Sequence, residues 1–85
     1  MWSRHIINER IMIMDKHLAL RFGRLLKKIR KQRKFTQEKL AELADLSVVH
    51  IQRLEGRSPS GVTLETLFKL SRAFKISLPA LLKDL

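Results

Sequence analysis

Residues 36–55 read TQEKLAELADLSVVHIQRLE, two short segments of helical periodicity that each open on a hydroxyl residue. Thr36 and Ser47 are placed to cap them, because their side-chain oxygens can accept from the unpaired N–H groups of a first helical turn. Between the segments lies Ala44-Asp45-Leu46. Asp45 falls where the chain must reverse, and Asp tolerates a left-handed backbone better than most residues. Leu40, Ala41 and Ala44 share one face of the first segment; Ile51, Leu54 and Glu55 share one face of the second. With Ile51 set at the core and steps of about 100° per residue, Val49 and Arg53 come out opposite, with Gln52 beside them. The pattern predicts two helices meeting at a tight turn, the second turning a row of Val, Gln and Arg outward.

Composition bounds what such an element can serve. Eighty-five residues make one small domain with one modest core. There is no Cys, which excludes disulfides and thiolate metal sites and fits a reducing cytoplasm. No apolar run approaches the roughly 18 residues that a membrane helix needs, and the N-terminus lacks the apolar block and cleavage site of a signal peptide. The net charge of +10 is unevenly spread: residues 1–34 hold eleven Lys or Arg against Glu9 and Asp15, and residues 35–85 hold seven against six acids. A positive field concentrated beside a helix-turn-helix pattern suits phosphate attraction; the plainer reading is a solubilising face.

The N-terminal stretch, residues 1–15, reads as an extension to a domain spanning residues 16–85. Ile6-Ile7 and Ile11-Met12-Ile13-Met14 flank Asn8-Glu9, which suits a short strand or hairpin that pairs with a second subunit or packs on the domain. A disordered leader, or sequence upstream of a start at Met14, fits equally well. Asp15 then caps a long helix from Lys16 to about Arg33, with Leu18, Phe22, Leu25, Leu26 and Ile29 in an apolar stripe. GRSPSGV, residues 56–62, is a turn-rich loop. Thr63 caps a helix from Leu64 to Phe74 that buries Leu64, Leu67, Leu70, Ala73 and Phe74. Ser77, with Pro79 early in the next turn, starts a last helix from Leu78 to Leu85. Leu78, Leu81, Leu82 and Leu85 give it more apolar surface than one short helix needs, which suggests a dimer interface; the plainer reading is completion of the chain's own core.

Thr36-Gln37-Glu38, Leu40-Ala41, Ser47, Ile51 and Leu54-Glu55 together resemble the helix-turn-helix of the lambda-repressor/Cro-like, or XRE-type, DNA-binding family. The resemblance runs from roughly Phe22 to Leu82. It implies an all-α, compact five-helix domain whose C-terminal end forms the dimer interface. It also implies that Arg30 pairs with Glu55 at the end of the recognition helix, locking the first helix against the third. Two departures stand out: Lys34 occupies a place where the family usually has Gly, and Leu25 one where it tends to be polar.

On that model the second motif helix enters the major groove with its N-terminal residues toward the bases. Val48 and Val49 would sense thymine methyl groups, Gln52 would bridge adenine, and Arg53 would reach guanine or a phosphate. Gln37 and Ser47, at helix N-termini, suit phosphate contacts. Lys28 and the loop residues Arg57, Ser58 and Ser60 would add backbone contacts. Two valines at the tip could instead make an apolar patch for a protein partner, the lesser of the two readings. Catalysis has no inventory here: His5, His17 and His50 are widely spaced, and no acidic cluster or Gly-rich phosphate loop accompanies them. No enzyme, metal or cofactor is expected.

The reading is a cytoplasmic, nucleoid-associated homodimer that binds a palindromic operator in double-stranded DNA. It would act as a repressor, a restriction-system controller or an antitoxin-type autoregulator. The alternative is a protein-interaction module on the same fold, such as an antitoxin binding a partner toxin without specific DNA reading.

Overall fold

Three of the helices in this chain end in the same way. The computed structural model describes residues 13–60 and 62–85, which form α1 (Lys16–Gln32), α2 (Gln37–Ala44), α3 (Val48–Glu55), α4 (Leu64–Phe74) and α5 (Leu78–Leu82). After α1, α2 and α4 one residue turns left-handed: Lys34 at φ 59°, Asp45 at 56° and Lys75 at 57°. The N–H of the following residue then reaches back to close the helix: Phe35 to the Arg30 carbonyl, Leu46 to Ala41, Ile76 to Ser71. Phe35, Leu46 and Ile76 are each half-buried against the core. The helix stop therefore also delivers an apolar side chain inward, the usual companion of this motif. Glycine is the ordinary residue at the left-handed position; two lysines hold it here at some steric cost.

The starts are as regular. Asp15, Thr36, Ser47, Thr63 and Ser77 each accept, through the side-chain oxygen, the N–H three residues on, at 2.8–3.2 Å. All five caps stand where the hydroxyl and carboxylate residues predicted them. α1 stops at Gln32, and α5 is shorter than expected, ending at Leu82. Beyond it Lys83 and Asp84 are exposed, and only a turn from the Leu85 N–H to the Leu82 carbonyl follows. The expected hairpin over Ile6-Ile7 and Ile11-Met12 lies outside the described residues. At its near end the Ile13 N–H donates to the Val62 carbonyl at 3.2 Å, and Met14 packs on the core.

Phe22, Leu26, Leu40, Ile51, Leu54, Leu67, Leu70, Phe74 and Leu81 are fully buried. Leu81, expected at a subunit interface, is thus enclosed by its own chain and unavailable to a partner. Leu78, Leu82 and Leu85 are half-buried against the same core. Leu18, Leu25, Ile29 and Leu64 are likewise only half-buried, whereas Ala19 and Gly23, outside the predicted stripe, are buried. α3 packs chiefly on α1 and α2, and α4 on α2 and α5. The ends of α1 and α4 are joined by rings: Phe35 stacks on Phe74 with centroids 6.2 Å apart. Arg33 lies over the Phe74 ring at 5.7 Å and donates to the Phe74 carbonyl at 2.7 Å. That arginine, at the expected end of the first helix, ties it to the end of α4.

Candidate nucleic-acid interface

α3 is held from beneath by a buried ion pair. Arg30 on α1 donates through Nε to Glu55 Oε2 at 2.7 Å and through Nη2 to Oε1 at 2.9 Å. The side chains are only 9% and 3% exposed. The third guanidinium nitrogen, Nη1, donates to the Phe35 carbonyl at 2.9 Å, in the turn between α1 and α2. Gln37, at the start of α2, adds its amide to Glu55 Oε1 at 3.1 Å. One carboxylate therefore gathers the end of α1, the start of α2 and the end of α3. The hydrogen bond to Glu55 is the main cause that raises the Arg30 pKa above its ordinary value, against the opposing effect of burial. The guanidinium stays charged at any working pH.

Helix packing supplies the second constraint. A Cβ built on Gly23 would fall 2.2 Å from the Leu54 carbonyl oxygen, so only glycine lets α1 lie this close to the end of α3. Sequence periodicity could not mark this position, since a glycine adds nothing to an apolar stripe.

On the outer side of α3, Val49 is 52% exposed and Gln52 and Arg53 are exposed, as the helical stepping from Ile51 predicts. Val48 differs: it is half-buried and packs against the core. The tip of the helix thus offers one valine fully and one only at its edge. His50 is half-buried at the margin of the face. The Ser47 hydroxyl oxygen accepts from the His50 N–H at 3.0 Å, and its own proton remains able to donate outward.

The residues expected at the DNA backbone scatter more. Gln37 is half-buried with its amide turned onto Glu55, which leaves its second N–H for another acceptor. Arg57, Ser58 and Ser60 are exposed on the loop after α3. Arg57 lines a cleft there with Gly56, Glu55, Leu20 and Arg24, so Arg24 of α1 stands beside the loop, a proximity that spacing along the chain did not reveal. Lys28 lies elsewhere. It borders a separate cleft with Arg21, Arg24 and Leu25 against Asp84 and Leu85. Two residues before Arg30, it sits about 160° around the helix from the side that meets α3.

The fold that carries this face is found in a solved structure. The crystal structure of the restriction-modification controller protein C.AhdI from Aeromonas hydrophila is similar, with a TM-score of 0.70 and 29% identity over 76% of this chain and 97% of that one. No curated protein matches the chain. A helix-turn-helix family model matches residues 26–81, which takes in α2, the turn and α3 entire. By that match the chain belongs to the helix-turn-helix family of DNA-binding transcriptional regulators, of the XRE type suggested by the motif residues.

Proposed function

We propose that the chain binds a near-palindromic operator in double-stranded DNA as a homodimer and regulates transcription by occupying it. The observation that carries this reading is the exposed row Val49, Gln52 and Arg53 on a helix whose opposite side is locked by Arg30, Glu55 and Gln37. A rigid helix with an unencumbered outer face meets the requirement for major-groove entry. Arg53 would read guanine or hold a phosphate, Gln52 would bridge adenine, and Val49 would touch a thymine methyl. Val48, half-buried, contributes only an edge.

Backbone contacts would come from the rim: the Ser47 hydroxyl, the second amide N–H of Gln37, and Arg57, Ser58 and Ser60 on the loop. Arg24 beside Arg57 adds charge there, whereas Lys28, one turn further along α1 in the cleft by Asp84 and Leu85, acts through the field rather than by touching the duplex. Dimerisation would use Leu78, Leu82 and Leu85, with half-sites about one helical turn, ~34 Å, apart. The likeness to a restriction-modification controller favours a stand-alone controller over an antitoxin. Selection from random duplex DNA tests the reading. An enriched palindrome supports it; recovery of no preferred sequence would leave an interaction module built around the exposed Val49.

A further inference from the structure

α4 turns Leu67, Leu70, Ala73 and Phe74 into the core. Its outer face is left with Glu65, Phe68, Lys69 and Arg72, which border one shallow depression. Phe68 is 48% exposed there. An aromatic ring that open to water on a helix can anchor a contact where its surroundings complement a partner. Its neighbours say what kind. Among the described residues the ion pairs are Arg30–Glu55 and Lys39–Glu42, so neither Glu65 nor Arg72 has an ionic partner among those residues.

We infer that α4 docks antiparallel on the α4 of a second copy of this chain, Phe68 against the partner's Phe68, with Glu65 facing the partner's Arg72 on both sides of the two-fold axis. The order of residues makes the face self-complementary. Glu65 and Arg72 each lie about 5 Å along the helix from the midpoint between Phe68 and Lys69, so an antiparallel two-fold superposes acid on base twice. A parallel arrangement would set like on like. Lys69 would meet its own counterpart, but its amine is drawn aside toward the Asp45 carbonyl at 3.4 Å. An acidic polymer would satisfy Arg72 and Lys69 while leaving Glu65 repelled and Phe68 exposed, which is why a second copy fits better. The face contains neither the outer residues of α3 nor Leu78, Leu82 and Leu85. It is therefore a self-association surface additional to the one proposed for DNA-bound dimers, and it does not depend on DNA reading.

The absence of cysteine makes the geometry directly testable. A Phe68→Cys chain should form a covalent dimer under mild oxidation. A Glu65→Cys chain should not, because its two thiols would stand about 10 Å apart along the axis, beyond disulfide reach. In sedimentation equilibrium Phe68→Ser should weaken self-association by about tenfold or more. Glu65→Arg and Arg72→Glu should each weaken it, and the double swap should return it to within about threefold of the parent. Phe68 and Arg72 are exposed and Glu65 is half-buried, and unchanged melting curves would confirm that the variants fold. Overturning results are an unassociated parent chain, an unaltered constant for Phe68→Ser, a double swap no better than its singles, or equal cross-linking from positions 65 and 68. Since α3 is untouched, the DNA selection succeeds or fails independently.

Discussion

Gly23 lies so close to the Leu54 carbonyl oxygen that a methyl group in place of its hydrogen would stand 2.2 Å from it. The obstacle is backbone, which cannot swing away as a side-chain tip can. Mid-helix glycine ordinarily costs about 1 kcal/mol against alanine, so Gly23→Ala would stabilise an isolated α1. In the folded chain it must instead push α3 away. We expect a net loss of about 1–3 kcal/mol, read from urea unfolding, together with weaker DNA binding because the outer row of α3 tilts. A more stable Gly23→Ala chain would show that the contact is slack.

The Arg30–Glu55 pair makes a different forecast. Replacing either member by an apolar residue, as in Arg30→Met or Glu55→Leu, leaves a buried charge alone and should cost about 3–5 kcal/mol. The double replacement should cost well under the sum, since no charge is stranded. The interaction raises the Arg30 pKa, chiefly through the hydrogen bond to Glu55. Its stabilisation on the arginine side is therefore fully present below the ordinary arginine range and fades only as pH rises through the folded-state value. At neutral and moderately alkaline pH, stability should show no step from this residue. A double-mutant cycle in urea at two such pH values checks both statements.

Most of this framework was written locally. Five caps were legible because Asp15, Thr36, Ser47, Thr63 and Ser77 each act on a backbone N–H three residues away, and Val49, Gln52 and Arg53 follow from periodicity within one helix. What escaped depends on distant chain. Gly23 matters only through Leu54, Arg33 only through Phe74, and the Gln37 amide only through Glu55. The burial of Leu81 escapes the sequence for the same reason: a leucine count cannot say which member of a short helix its own core will enclose. Lys28 stands out in the sequence by charge alone, and charge carries no direction.

The left-handed lysines offer a gain in stability. Lys75 at φ 57° bears a steric cost of about 1–2 kcal/mol that glycine would not, partly offset by glycine's greater freedom in the unfolded chain. Lys75→Gly should add about 1 kcal/mol, raising the melting temperature by about 4–8 °C for a domain of this size. Asp45→Gly should gain less, because Asp is the better tolerated residue in that conformation. Calorimetry on the two variants would contradict the account if Asp45→Gly gained more.

DNA titrations separate the roles assigned on and off α3. Arg53 is exposed on the outer face of the helix, so Arg53→Ala should cost about 1–3 kcal/mol on the preferred site and little on unrelated duplex, narrowing the gap between them. Arg57, on the adjoining loop, should behave otherwise: Arg57→Ala weakens binding to all duplexes alike and reduces the salt slope by about 0.9 for each phosphate that the guanidinium had neutralised. Lys28 borders the cleft near Asp84 and Leu85 rather than the α3 face. Removing it should lower affinity modestly and uniformly while leaving the salt slope close to that of the parent, since a field contribution neutralises no particular phosphate. Band shifts over a salt series distinguish the three. A fall in slope for Lys28→Ala matching that of Arg57→Ala would place α1 against the backbone and require the helix to dock in a different orientation.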